Sequence, residues 1–88
     1  MESVMERTIL IILIDKRKKI APVVQKILTD WGCLIKTRLG IHDGVLDNCS
    51  NSGLLIIELV GDAKKHQELE HKLSLLEGVK TKLIHLTL

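Results

Sequence analysis

Aromatic side chains are almost absent from this sequence: Trp31 stands alone, with no Phe and no Tyr. Any core must therefore be built from Ile, Leu and Val. A dominant charge is missing as well. Thirteen Lys and Arg against eleven Asp and Glu leave a net charge of +2, too small a field to draw in nucleic acid by itself. Cysteine is scarce: Cys33 and Cys49 are too few for a disulfide framework, which points to a reducing, cytoplasmic setting. The apolar run Ile9 to Ile14 is far too short to span a bilayer, and no small-residue cleavage site follows it before the charges of 15–19, so neither a membrane partner nor a secretion signal is expected. Also missing are a nucleophile elbow, a phosphate loop and paired carboxylates on a common face. The expectation is a protein that is not an enzyme and carries no cofactor.

What remains is aliphatic. Hydrophobic residues make up 45% of 88 residues, which suits one small domain over 1–88 whose stability margin is thin. Residues 1–7 are polar and read as a frayed end. Thr8 to Ile14, TILIILI, is β-branched without polar alternation and predicts a central strand buried on both faces. Ile20, Val23, Val24, Ile27, Leu28 and Trp31 then fall on one helical stripe, predicting a helix from about Lys19 to Asp30 with Pro22 in its first turn and Gly32 as a left-handed cap.

The chain is organised around 33–61. CLIKTRLGIHD predicts a second strand, Cys33 to about Ile41, with Cys33, Ile35, Thr37, Leu39 and Ile41 on one face, as in an edge strand. A polar run rich in Gly, Asp, Asn and Ser follows, and Gly53 to Val60 predicts a third strand beside the first. Together they read as a long-looped hairpin at the centre of the sheet. Asp62 is a helix N-cap for about Ala63 to Leu76, whose stripe carries His66, Leu69, Leu73 and Leu76. VKTKLIHLTL closes as a fourth strand with Val79, Thr81, Leu83, His85 and Thr87 on one face.

The order βαββαβ with right-handed crossovers predicts an α+β, ferredoxin-like sandwich: a four-stranded antiparallel sheet with two helices on one face. The far face then exposes Leu and Ile, and self-association is the simplest cover for it.

The run R-L-G-I-H-D, the following N-S-G-L-L-I-I-E-L-V-G and the segment E-L-E-H-K-L-S-L-L-E-G-V-K-T-K resemble the iron-only hydrogenase system regulator family, within the broader ACT-like group. The resemblance covers about Thr8 to Leu86. It implies an ACT-like, ligand-sensing regulatory module that forms a dimer or higher oligomer, such as a tetramer. In ACT-like domains that bind amino acids, the first loop carries an Asp followed by a small turn such as Pro-Gly; here Asp15 is followed by Lys16, Arg17, Lys18 and Lys19, a departure from that pattern. The resemblance places any small anionic ligand between this loop and the end of the second strand, at Asp15, Arg17, Arg38, Gly40 and His42. Arg38 could grip a carboxylate with two nitrogens, and Gly40 would allow close backbone approach.

Two other readings come from the residues. His42 and Cys49, with Asp43 and Asp47 between them, place both soft and hard donors in the 42–49 loop, as a metal-responsive domain would. Borderline metals usually require three or four N or S ligands, and this loop offers two, so no metal site is expected. His66 and His71 are more than a quarter turn apart on their helix and form no ligand pair. The basic run 16–19 at a helix N-terminus could hold an acidic partner, as an assembly protein would. Direct nucleic-acid binding is not expected, since no recognition helix or basic arm remains outside the fold.

Overall fold

The computed structural model describes residues 5–15, 17–42 and 52–88. The elements run β1 (Glu6–Ile14), α1 (Arg17–Asp30), a 3-10 turn (Gly32–Leu34), β2 (Ile35–His42), β3 (Gly53–Leu59), α2 (Ala63–Ser74) and β4 (Val79–Thr87). The strands form one sheet in the order β2-β3-β1-β4, every neighbouring pair antiparallel. This is the ferredoxin-like α+β fold that the element order predicts. No helix among the described residues is long and apolar enough to cross a membrane.

Alternation along the strands divides the sheet into two unlike faces. Leu10, Ile12 and Ile14 of β1, Leu55, Ile57 and Leu59 of β3 and Val79 of β4 turn toward the helices and are buried against Val24, Ile27 and Leu28 of α1 and Leu69 and Leu73 of α2. Each fully buried aliphatic side chain contributes about 1.5–3 kcal/mol. The other face carries no helix. There Leu39, Ile56, Ile11 and Lys82 form one row across the sheet, and Ile41, Leu54, Leu13 and Lys80 form the next. The expectation that β1 is buried on both faces fails within a single chain, because both helices lie on the same side: Leu13 stays 49% exposed.

Several local expectations are corrected. The hairpin of β2 and β3 is not central, since β2 is an edge strand and the middle pair is β3 with β1. The residue segment 1–7 is not all outside the fold: β1 starts at Glu6, and the amide of Leu88 donates to the carbonyl of Met5 at 2.8 Å. Helix α1 starts at Arg17, ahead of the first apolar stripe residue, because Arg and Lys are good helix formers whatever their pattern. Pro22 therefore lies past the first turn and leaves the Lys18 carbonyl without its i+4 donor.

Gly32 is not a left-handed cap but opens the 3-10 turn; the left-handed glycines are Gly61 (φ 92°) and Gly78 (φ 78°). The register of β2 against β3 shifts between Ile35 and Thr37, with Lys36 as the extra residue of a bulge. That bulge breaks the single face predicted for β2. Ile35 opposes Leu59 on the helix side, whereas Leu39 and Ile41 oppose Ile56 and Leu54 on the open side.

Helix α2 follows the sequence reading closely. The Asp62 side chain accepts the Lys64 amide at 2.9 Å, and His66, Leu69 and Leu73 are buried.

Candidate functional site

The residues expected to bind a ligand come from the loop after β1 and from β2. Ile14 pairs with Gly53, and Gly53 pairs with His42, so the end of β1, the start of β3 and the end of β2 share one end of the sheet. Asp15 leaves β1 there, its amide donating to the Gly78 carbonyl at 2.7 Å, and Arg17 opens α1. Because β3 lies between β1 and β2, Asp15 and His42 belong to strands separated by two spacings, about 9.5 Å.

Arg38 and Gly40 lie on the helix side of β2, opposite Ile57 and Leu55, and the backbone of His42 pairs with Gly53. Between α1 and this edge of the sheet lies a cleft of about 240 Å³, lined by Ile14, Ala21, Gln25, Gly40, Ile41, Gly53, Leu54 and Leu55. Its walls are mostly aliphatic, with the Gln25 amide as a polar group. A side chain at Gly40 would put its Cβ 3.3 Å from Leu55 Cδ2, so glycine keeps this part of the cleft open. Arg38 stands exposed farther along β2 and makes no ion pair or hydrogen bond with another described residue. Its guanidinium is available to an anion there.

The five expected residues are thus spread along one end and one edge rather than gathered at a point. Gly40 lines the cleft and Arg38 lies outside it. Asp15 lines a different depression, with Leu13, Ser74, Leu76, Gly78, Val79 and Lys80 on the β4 side. Ala21, Gln25 and Gly53 had no signal in the sequence, because they become neighbours only when α1 packs across β2 and β3. Asp43, Asp47 and Cys49 of the metal reading lie outside the described residues. Among the described residues no group of three or more His, Cys, Asp or Glu is placed to hold a metal ion.

The opposite end of the sheet is more polar than the sequence suggested. On the open face the Arg7 guanidinium holds the Glu58 carboxylate through Nε to Oε2 and through Nη2 to Oε1, the latter at 2.8 Å. The hydrogen bond to Arg7 pulls the Glu58 carboxyl below its ordinary value, against the opposing pull of desolvation, while Glu58 raises Arg7. On the helix face Thr8 and His66 are buried, and Thr8 Oγ1 lies 2.8 Å from His85 Nδ1.

No protein-family model matches this chain, and no curated protein matches it. Solved structures do. An uncharacterized protein from Thermotoga maritima is 25% identical and covers 93% of this chain and 99% of its own, with a TM-score of 0.77. CPII, a nitrogen regulatory PII-like protein from Thiomonas intermedia, bound to ADP, AMP and bicarbonate, is 10% identical over 98% of this chain and 91% of its own, with a TM-score of 0.64. A dimeric ferredoxin-like protein from an uncultured marine organism is 10% identical over 94% of both chains, with a TM-score of 0.53. These likenesses run over nearly the whole chain and agree on its ferredoxin-like architecture.

Proposed function

We propose that this chain is a non-enzymatic, ACT-like regulatory module that binds a small anionic ligand and works as a dimer or tetramer, in the manner of the iron-only hydrogenase system regulators it resembles. The observation that carries this reading is the glycine-opened cleft under α1, with the unpaired Arg38 exposed outside it, two residues along β2 from Gly40. An aliphatic pocket with one flexible cation suits a small molecule with an apolar part and a carboxylate or phosphate. The fold it shares with CPII, which is bound to ADP, AMP and bicarbonate, and with a dimeric ferredoxin-like protein supports both parts of the reading. The reading assigns the chain no reaction.

Calorimetric titration of the full chain with a panel of carboxylates, bicarbonate and adenine nucleotides tests the ligand class. A saturable heat from at least one anion is expected, with amide resonances of Ala21, Gln25 and Gly53 shifting as it binds. Silence across the panel would remove the ligand-sensing reading. The finer assignment to a hydrogenase system is tested by whether the gene lies beside hydrogenase maturation genes.

A further inference from the structure

Thr8 and His66 are the polar side chains buried in the core of the described residues, 7% and 4% exposed, and they meet at one place. Both line a cleft of about 350 Å³ whose lining includes Glu6 and Lys36, and both line an adjoining recess of about 290 Å³ with Ala63 and Leu83 as apolar walls. His85 belongs to both spaces as well. This cluster lies at the end of the sheet remote from Gly40 and is independent of the function proposed above.

The imidazole of His66 is fixed by chemistry. Its Nε2 lies 2.8 Å from the Val60 carbonyl oxygen, which can only accept, so Nε2 carries the proton. In the neutral ring Nδ1 is then an acceptor, and no described residue donates to it. A buried acceptor without a protein donor is unfavourable, and the ring that carries it lines both spaces. Thr8 adds a hydroxyl, which with His85 Nδ1 makes a 2.8 Å hydrogen bond at the mouth.

We infer that this recess is a second ligand site, for a small uncharged molecule that donates one hydrogen bond to His66 Nδ1 and packs a compact apolar body on Ala63 and Leu83. The charges select against ions. Arg7 and Glu58 neutralise each other, Glu6 Oε1 lies 4.0 Å from His85 Nε2, and the acidic and basic residues of the lining, Glu6 and Glu58 against Arg7 and Lys36, balance. A carboxylate would bring its lone pairs against that of Nδ1. The space is ample for a six-membered ring, since a cavity of about 150 Å³ holds benzene.

The test is NMR titration of the full chain with phenol, anisole and benzoate, following the backbone amides and the His66 imidazole nitrogens. Phenol is expected to bind saturably, moving Thr8, Ala63, His66 and Leu83 together with the Nδ1 resonance. Anisole, lacking the donor, should bind about tenfold more weakly, and benzoate more weakly still. His66→Gln keeps a donor for the Val60 carbonyl and removes the Nδ1 acceptor, so phenol should fall to the level of anisole. Ala63→Leu leaves His66 intact and should block all three by filling the recess. Equal affinity for phenol and anisole, phenol binding unchanged in His66→Gln, or no probe bound with Nδ1 held by water alone would each overturn the inference.

Discussion

Arg7 on β1 and Glu58 on β3 reach diagonally across the open face of the sheet, and the guanidinium grips both carboxylate oxygens. Glu58 is 12% exposed at its side chain, opposite Ile9 and Thr37 on the neighbouring strands, and the ion pair with Arg7 offsets the cost of removing its carboxylate from water.

This pairing predicts an acid-sensitive component of stability. The Glu58 carboxyl is held below its ordinary value of 4.5, so the folded chain binds that proton less readily than the unfolded chain does. The stabilisation is therefore fully present above 4.5 and is lost as pH falls through the lower folded value. Urea midpoints measured from pH about 6 down to about 3 should decline, and Glu58→Gln should flatten the part of that decline due to this residue. Parallel curves for the two proteins would assign the acid sensitivity to other carboxylates.

The open face also predicts association. Leu39, Ile56 and Ile11 make a continuous aliphatic row flanked by Leu13, Ile41 and Leu54, with Lys80 and Lys82 on the outer strand as a charged rim. Removing a few hundred Å² of such surface at about 25 cal/mol per Å² contributes several kcal/mol. Sedimentation equilibrium at micromolar protein should give a species heavier than 9.9 kDa, and Ile56→Lys should return it to that mass. Wild-type protein that runs only at 9.9 kDa would end the claim.

The fold was legible because its signals are local. Continuous apolar strands, the Asp62 cap and the His66, Leu69, Leu73 stripe each mark an element without reference to the rest. What escaped were features set by pairing. The bulge at Lys36 turns Ile35 away from Leu39, and strict alternation cannot reveal one inserted residue. Gly32 followed a helix as a cap should, yet the left-handed positions proved to be Gly61 and Gly78, where a turn must clear Leu34 and Asp15. The candidate site was legible only in Gly40 and Arg38. Ala21 and Gln25 bear no motif and gain meaning from packing alone.

Gly78 and Gly32 should respond differently to alanine. At Gly78 the backbone has φ 78°, and an added Cβ would lie 3.2 Å from the Asp15 carbonyl oxygen, in a turn where the Asp15 amide already bonds Gly78. Backbone atoms cannot swing aside as a side chain can. Gly78→Ala should destabilise by about 1–2 kcal/mol, read as a shifted denaturation midpoint. At Gly32 an added Cβ meets nothing within 4 Å, so Gly32→Ala should change stability by less than about 0.5 kcal/mol.

Arg38 and Gly40 should separate charge from shape in ligand binding. Arg38 lies outside the cleft and spends its guanidinium on no described residue, so Arg38→Ala should weaken any anionic ligand about tenfold or more while leaving stability unchanged. Arg38→Lys should recover part of that loss, because an ammonium keeps the charge and loses the two-pronged geometry. Gly40→Val acts differently: its Cβ already crowds Leu55 Cδ2 at 3.3 Å, and its methyls would fill the cleft for charged and neutral ligands alike. Calorimetric titrations of the three variants against one carboxylate and its neutral amide distinguish the two effects. If Arg38→Ala binds the carboxylate as tightly as the parent while a change on α2 abolishes binding, the ligand occupies another part of the sheet.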